Sequence, residues 1–343
     1  MSESKIAISI VKSEGHALPG HPESPQRFSF FSELFDGPLS ASLLNIPGTA
    51  ASPESILRVH TPEYLNSLEK ICRSGGGFLD YGDTYASRVS YQAALNASGG
   101  TLGVLDWVVK GEARPGFALV RPPGHHATKD KAMGFCLLNN IAIAAREAQE
   151  KGLKRVMIVD FDVHHGNGTQ AVFDRDSSVL YISTHQEGIY PGSGWWTDAG
   201  SGSGEGYTVN IPLPARAGDA NFEEIFEEII FPMANRFTPD ILLVSAGYDA
   251  HWKDPLASLS LSTSGYYSIG SWLMEIANLY SHGRLLFVLE GGYDPKTLAD
   301  NVEATLCAIA GIADPGQGNP SPSGPEPEIS DLISSLRSLH HLG

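Results

Sequence analysis

The stretch IVDFDVHHGNG, residues 158–168, sets Asp160, Asp162 and His164 two residues apart at the end of an apolar run. Strand side chains alternate between faces, so if the strand continues these three project to one side, with Phe161 and Val163 on the other. An aspartate and a histidine are two ligands for a first-row metal, and a carboxylate from another strand end completes a three-ligand site with one position open to water. Asp249, closing LLVSAGYD, is the candidate for that third ligand. A lone D-x-D or D-x-H more often marks a solvated loop, but here a second strand-end carboxylate and the adjacent pair His125-His126 in RPPGHHA accompany it. Beside a carboxylate-rich metal site, such histidines serve as general base and acid when each is oriented by a hydrogen-bonded partner. Tyr293 follows two glycines in LEGGYD, where a bent backbone can aim a phenol, although GGYDP alone also reads as a surface turn.

The elements that must position these groups are short β-rich runs. GFALV (116–120), RVMIVDF (155–161), SVLYIS (178–183), DILLVSAG (240–247) and RLLFVLEGG (284–292) are each followed by glycine or polar residues. Several are continuously apolar, as expected of strands covered on both faces. Helical patterns lie between many of them, including NNIAIAAREAQEKG (139–152), which closes on Gly152, and DANFEEIFEEIIFPMANRF (219–237). This alternation predicts an α/β fold with a mostly parallel central sheet flanked by helices. In open α/β sheets ligands bind beyond the carboxyl ends of the strands, where all the polar groups above fall.

The 343 residues, 42% hydrophobic and 18% charged, suffice for a large core. With 23 basic against 39 acidic residues, a formal net charge of -16, direct nucleic-acid binding is not expected, whereas a basic peptide or an amine is attracted. Cys72, Cys136 and Cys307 are far apart and form no C-x-x-C pair, so a reducing, cytoplasmic compartment fits better than a disulfide framework. KIAISIV near the N-terminus reads as a first strand rather than a signal peptide, and no run approaches the roughly 18 apolar residues that span a bilayer. Residues 1–313 read as one domain. The Pro/Gly/Ser-rich segment 314–328 follows as an extended connection, leading to a terminal helix within 329–343 that packs on the same domain. The sequence does not decide between a monomer and a homo-oligomer.

In this order, RPPGHHA, GFCLLNNIAIAA, VDFDVHHGNGTQ, SAGYDAHWKDPLASLSLS and LEGGYD closely resemble the zinc-dependent histone deacetylase superfamily, which includes acetylpolyamine amidohydrolases and bacterial deacetylase-like amidohydrolases. The resemblance runs from HPESPQRF (21–28) to about residue 310. It implies the arginase-like three-layer α/β fold and makes Asp162, His164 and Asp249 the ligands of one zinc ion, a set that also suits iron or cobalt. His125 and His126 become the active-site histidines and Tyr293 the carbonyl-polarising phenol. Asp160 pairs with His125 and, with Ser183, Thr184 and the backbone of Asp162 and His164, holds a structural potassium or sodium ion. Carbonyls of Phe173, Asp176, Val179 and Tyr207 match an outer monovalent site. Phe135, Gly134 and Tyr190 wall a narrow tunnel, with Asp83 at its rim.

Asn167 stands where many family members carry aspartate and the class II type carries asparagine. With Asp160 charged and Asn167 neutral, His125 is biased toward imidazolium and His126 is left as the base. The implied reaction is metal-assisted amide hydrolysis of an acylated lysine peptide or an acetylated polyamine. Polyamine specialists tend to carry glutamate after the DP that follows the last zinc ligand; here Leu256 occupies that position and favours acyl-lysine. An arginase-like binuclear centre needs D-x-H-x-D, which His165, Gly166 and Asn167 do not provide, and a catalytically silent acyl-binding module would lack Tyr293 or one of the histidines.

Overall fold

The computed structural model describes residues 5–80, 82–111, 115–317, 321 and 324–343. The strands are β1 (Ile6–Val11), β2 (Leu43–Asn45), β3 (Gly76–Phe78), β4 (Tyr85–Ser87), β5 (Pro115–Val120), β6 (Val156–Asp160), β7 (Val179–Gln186), β8 (Thr208–Leu213), β9 (Ile241–Ala246) and β10 (Leu285–Leu289). The helices are α1 (Pro53–Leu57), α2 (Pro62–Arg73), α3 (Ser90–Lys110), α4 (Asn140–Glu150), α5 (Asn167–Phe173), α6 (Asp219–Ile225), α7 (Phe231–Phe237), α8 (Thr263–Tyr280), α9 (Pro295–Ala310) and α10 (Ser330–Leu339).

Eight strands form one sheet in the order β2-β1-β5-β10-β9-β6-β7-β8, and its pairings are all parallel. β3 and β4 make a separate antiparallel pair. The five apolar runs and the first strand become β5, β6, β7, β9, β10 and β1. Their side chains are almost entirely buried because each face is covered: α2, α3 and α4 pack on one side and α6, α8, α9 and α10 on the other. The result is the three-layer architecture of the arginase/deacetylase type.

The helical run 219–237 contains one π-helical turn, Phe226–Ile230, ahead of Pro232. Pro232 has no N–H to donate to the carbonyl of Glu228. Arg337 of α10 fills that vacancy, donating to the Glu228 carbonyl at 3.3 Å while also pairing with its carboxylate. Before α10, Glu326 caps α6 by accepting from the backbone N–H groups of Gly218 (3.1 Å), Ala220 (3.1 Å) and Asn221 (2.9 Å). The connection expected at 314–328 lies partly outside the described residues; Glu326 anchors its described end.

One expectation needs correction. The β6 ladder ends at Asp160 rather than continuing to His164. The alternation nevertheless persists, because carboxylates replace the missing strand partner. Asp160 Oδ1 accepts the Asp162 N–H (3.2 Å), Asp249 Oδ1 that of Val163 (3.0 Å) and Asp162 Oδ1 that of His164 (2.9 Å). Phe161 and Val163 sink into the core on the opposite side.

Candidate active site

The polar ends of β5, β6, β9 and β10 meet at the carboxyl edge of the sheet. Ligand atoms of Asp162, His164 and Asp249 all lie within 4.8 Å of one another. His164 Nδ1 is 3.2 Å from Asp162 Oδ1 and 3.2 Å from Asp249 Oδ2. Asp249 Oδ2 is buried and has no partner in hydrogen-bond alignment. Burial opposes the charged form of His164, yet its contacts with the two carboxylates outweigh this and raise its pKa to about 10. Two buried carboxylates around one imidazole thus call for a cation, and an orphaned, inward-facing oxygen gives it a place. The donor set fits a single divalent ion. Gly291 makes room: a Cβ there would lie 2.1 Å from Asp249 Oδ2 and 2.6 Å from Asp162 Oδ2, while its N–H donates to Asp162 Oδ2 at 2.8 Å.

A second buried cluster, His125, Cys136 and Glu290, has its ligand atoms equally close. There, however, Glu290 Oε2 accepts the N–H groups of Gly124 (2.6 Å) and His125 (3.1 Å), and Ser245 Oγ lies 3.3 Å from Oε1. Its carboxylate is committed to holding the histidine loop.

The histidines differ in their partners. His125 Nδ1 sits 3.1 Å from Asp160 Oδ2, and His126 Nδ1 2.8 Å from Asn167 Oδ1. Burial disfavours charge on His125, but the Asp160 carboxylate outweighs it and lifts the pKa to about 10. His126 is pushed well below the usual histidine range by burial and by the charges of His125 and His164. This is the asymmetry expected from Asp160 and Asn167. Tyr181, which the sequence reading passed over, donates its hydroxyl to Asp160 Oδ2 (3.1 Å) and so fixes the dyad from below. Its only signal was a tyrosine inside an apolar run.

A cavity of about 210 Å³ opens above His164, lined by Asp83, His126, Gly134, Phe135, His164, Tyr190, Leu256 and Tyr293. Asp83, Gly134, Phe135, Tyr190 and Leu256 are thus brought together around one opening. Phe135 and Tyr293 face each other edge-on at 5.8 Å between ring centroids, and Tyr190 meets His126 at 5.1 Å. Gly134 and Phe135 both have positive φ (54° and 66°), costing Phe135 roughly 1–2 kcal/mol. Thr84 Oγ1 holds this bend by accepting the Phe135 N–H at 3.0 Å. Thr84 and Asp83 are themselves tied by Asp80, which accepts both backbone N–H groups (2.7 and 2.9 Å). Tyr293 is aimed by Asp254, which accepts its N–H at 2.7 Å, and by Arg27, whose guanidinium lies 5.0 Å from its ring centroid. Burial keeps the phenol protonated, with nearby carboxylates reinforcing it against the opposing Arg27 charge.

Ser183 pairs in register with Asp160, and Thr184 Oγ1 lies 3.4 Å from the Asp160 carbonyl. At the other end of β7, the carbonyls of Phe173, Asp176 and Tyr207 each accept one backbone N–H, leaving one lone pair apiece for a further ligand; Val179 starts the strand beside them.

A family model described as the histone deacetylase domain matches residues 21–309, and the chain belongs to that family. It is 40% identical over 366 aligned residues to the chloroplastic histone deacetylase 14 of Arabidopsis thaliana, covering 100% of this chain and 86% of that one. To the histone deacetylase-like amidohydrolase of Pseudomonas aeruginosa it is 39% identical, covering 81% and 73%. The crystal structure of the HDA15 HD domain superposes with a TM-score of 0.89 at 33% identity, covering 99% of this chain and 95% of that one. The family defines a deacetylase-type hydrolase. None of the described helices is long and apolar enough to cross a membrane.

Proposed function

We propose that this chain hydrolyses the side-chain amide of acylated lysine in peptides or proteins, using one zinc ion held by Asp162, His164 and Asp249. The observation that carries the proposal is the buried Asp249 Oδ2, without an aligned hydrogen bond and 3.2 Å from Nδ1 of His164, a residue that lines one cavity together with His126 and Tyr293. When bound, zinc supplies a Lewis acid for the acyl carbonyl and lowers the pKa of a water; iron or cobalt suits the same ligands.

The remaining steps belong to the chain's own groups. His126 donates Nδ1–H to Asn167 Oδ1, which leaves the Nε2 lone pair free to accept the proton of the attacking water. The same nitrogen then returns a proton to the departing amine. Tyr293 O–H donates to the developing oxyanion. His125, charged against Asp160, provides a fixed positive field. Asp160, Ser183 and Thr184 hold a structural potassium or sodium ion, and the Phe173, Asp176, Val179 and Tyr207 carbonyls an outer one. Residues 1–313 form the catalytic domain; 314–328 connect it to the helix of 329–343, a role supported by the burial of Ile329, Ile333 and Leu336 in the main core. Three unpaired, buried cysteines support a reducing compartment such as the cytoplasm.

At the mouth, Phe135 and Tyr190 suit an aliphatic stem, with Asp83 placed to grip the substrate backbone. Leu256, 38% exposed, offers no carboxylate to a second ammonium. Side-by-side kcat/KM measurements on an acetyl-lysine peptide, N-acetylputrescine and N8-acetylspermidine test the substrate class. The peptide is expected to be preferred. A preference for the polyamines of about tenfold, roughly 1.4 kcal/mol in transition-state binding, overturns the acyl-lysine reading.

A further inference from the structure

At the amino-terminal edge of the sheet, opposite the active site, lies a cavity of about 690 Å³. It is bounded by Arg155 just before β6, Leu180 at the start of β7, Tyr207 just before β8, Arg236 in α7, and the end of α10. This volume falls within the range of small-molecule sites, about 300–1,000 Å³. Its floor is apolar, with Leu180, Met233, Phe237 and Leu339, and its polar groups are mostly cationic or able to become so.

The charge is poorly compensated. Among the described residues the Arg155 side chain makes no hydrogen bond or ion pair; from Arg155 the Asp240 carboxylate takes only the backbone N–H, at 2.8 Å. Arg236 donates to the His340 carbonyl and, at 3.1 Å, to Met233 sulfur, and among the described residues it meets no carboxylate. Glu205 is the one acidic residue lining the cavity, in a chain of net charge -16. His340, 2% exposed, lines the same space; the Gly206 backbone lies beside its ring, and neither ring nitrogen has a well-aligned hydrogen-bond partner among the described residues. A buried imidazole with both nitrogens unsatisfied is costly unless something outside the chain completes it. Burial, then the Arg236 charge, hold the His340 pKa down to about 4 against the Gly206 backbone contact, so Arg155 and Arg236 supply a positive field while His340 is neutral.

We infer that this cavity is a binding site for a small phosphorylated molecule, its phosphate received by Arg155, Arg236 and His340 and its body by the apolar floor. A phosphomonoester carries about -1.5 to -2 charge near neutral pH and three acceptor oxygens, which matches two guanidinium groups and an imidazole donor. Arg236 and His340 join α7 to the end of α10, so an occupant would tie the C-terminal helix to the sheet edge. The inference stands independently of the deacetylase reaction, since no lining residue belongs to the catalytic site.

The test is titration of the metal-loaded full chain with inorganic phosphate, glucose 6-phosphate and adenosine 5′-monophosphate, with glucose and adenosine as uncharged controls, followed by calorimetry and by Tm. Saturable binding of at least one phosphorylated probe, accompanied by a rise in Tm, is expected, with neither control binding. Arg155→Glu, at an exposed side chain without a partner, should keep the unliganded Tm and weaken binding at least tenfold, and Glu205→Gln should tighten it. The inference is overturned if no phosphorylated probe binds saturably, if the uncharged controls bind equally, or if Arg155→Glu leaves affinity unchanged.

Discussion

Asp160 and Asn167 divide the work of two adjacent histidines through a single charge. In the proposed mechanism the Asn167 amide oxygen sets the tautomer of His126, and its other nitrogen serves as the base. His126→Ala should therefore cost more kcat than His125→Ala, and the opposite order in steady-state assays would exchange their roles. Tyr293→Phe should leave folding and metal content unchanged while lowering kcat by roughly 10²–10³, as for loss of one oxyanion donor; an unaltered kcat removes the phenol from the chemistry. Leu256→Glu should shift the kcat/KM ratio toward acetylated polyamines. At this scale the sequence was highly informative, since residue types at strand ends reveal chemistry directly. It was silent about Tyr181, Glu290 and Asp254, whose hydrogen bonds depend on which strands become neighbours.

At the scale of elements, buried parallel strands were legible because covering both faces demands continuous apolar runs. β8 was not singled out: TVNIPL mixes polar residues and a proline, which an edge strand tolerates. The end of the β6 ladder was also hidden, since two-residue spacing looks the same whether a strand or a carboxylate accepts each N–H. The amino-terminal loop is pinned by Glu23, which takes a forked ion pair from Arg121 (2.5 and 2.8 Å) at zero exposure. Burial of Glu23 is outweighed by His16 and Arg121, and its pKa lies well below the usual carboxylate range. His60, whose Nε2 accepts the Asn139 N–H at 2.9 Å, is lowered to about 4 by burial. Both shifts act in the same direction. A depressed histidine loses stability as pH falls from 6.5 toward 4, because only the unfolded chain takes the proton, and a depressed glutamate loses it below its ordinary value near 4.5. Glu290 and Asp254, raised by burial to about 7, act the other way, but the depressed His165, His185, His251 and His340 reinforce His60, so Tm should decline from pH 7 to 4, and a flat profile would contradict these assignments. Glu23→Gln should cost about 3–5 kcal/mol in denaturant unfolding by leaving Arg121 buried and unpaired.

Across the whole molecule, the sheet order brings the carboxyl ends of β5, β6, β9 and β10 together, which is why motifs spread from residue 125 to 293 form one site. The carboxyl-terminal segment read from sequence as a connection and a helix, but its attachment did not: Glu326 on α6 and Arg337 on the π turn are long-range contacts without a local pattern. Glu326→Ala should lower stability by about 1–2 kcal/mol, as for a lost helix cap, with little change in kcat; an unchanged Tm would make the cap dispensable. The most direct test of the central claim is to strip the protein of metal and titrate it with zinc while following acetyl-lysine peptide hydrolysis and bound metal together. Activity should rise from background to a plateau at about one zinc per chain, and Asp249→Ala should gain neither tight zinc nor activity. Full hydrolysis by the metal-free chain, or by Asp249→Ala, would contradict it.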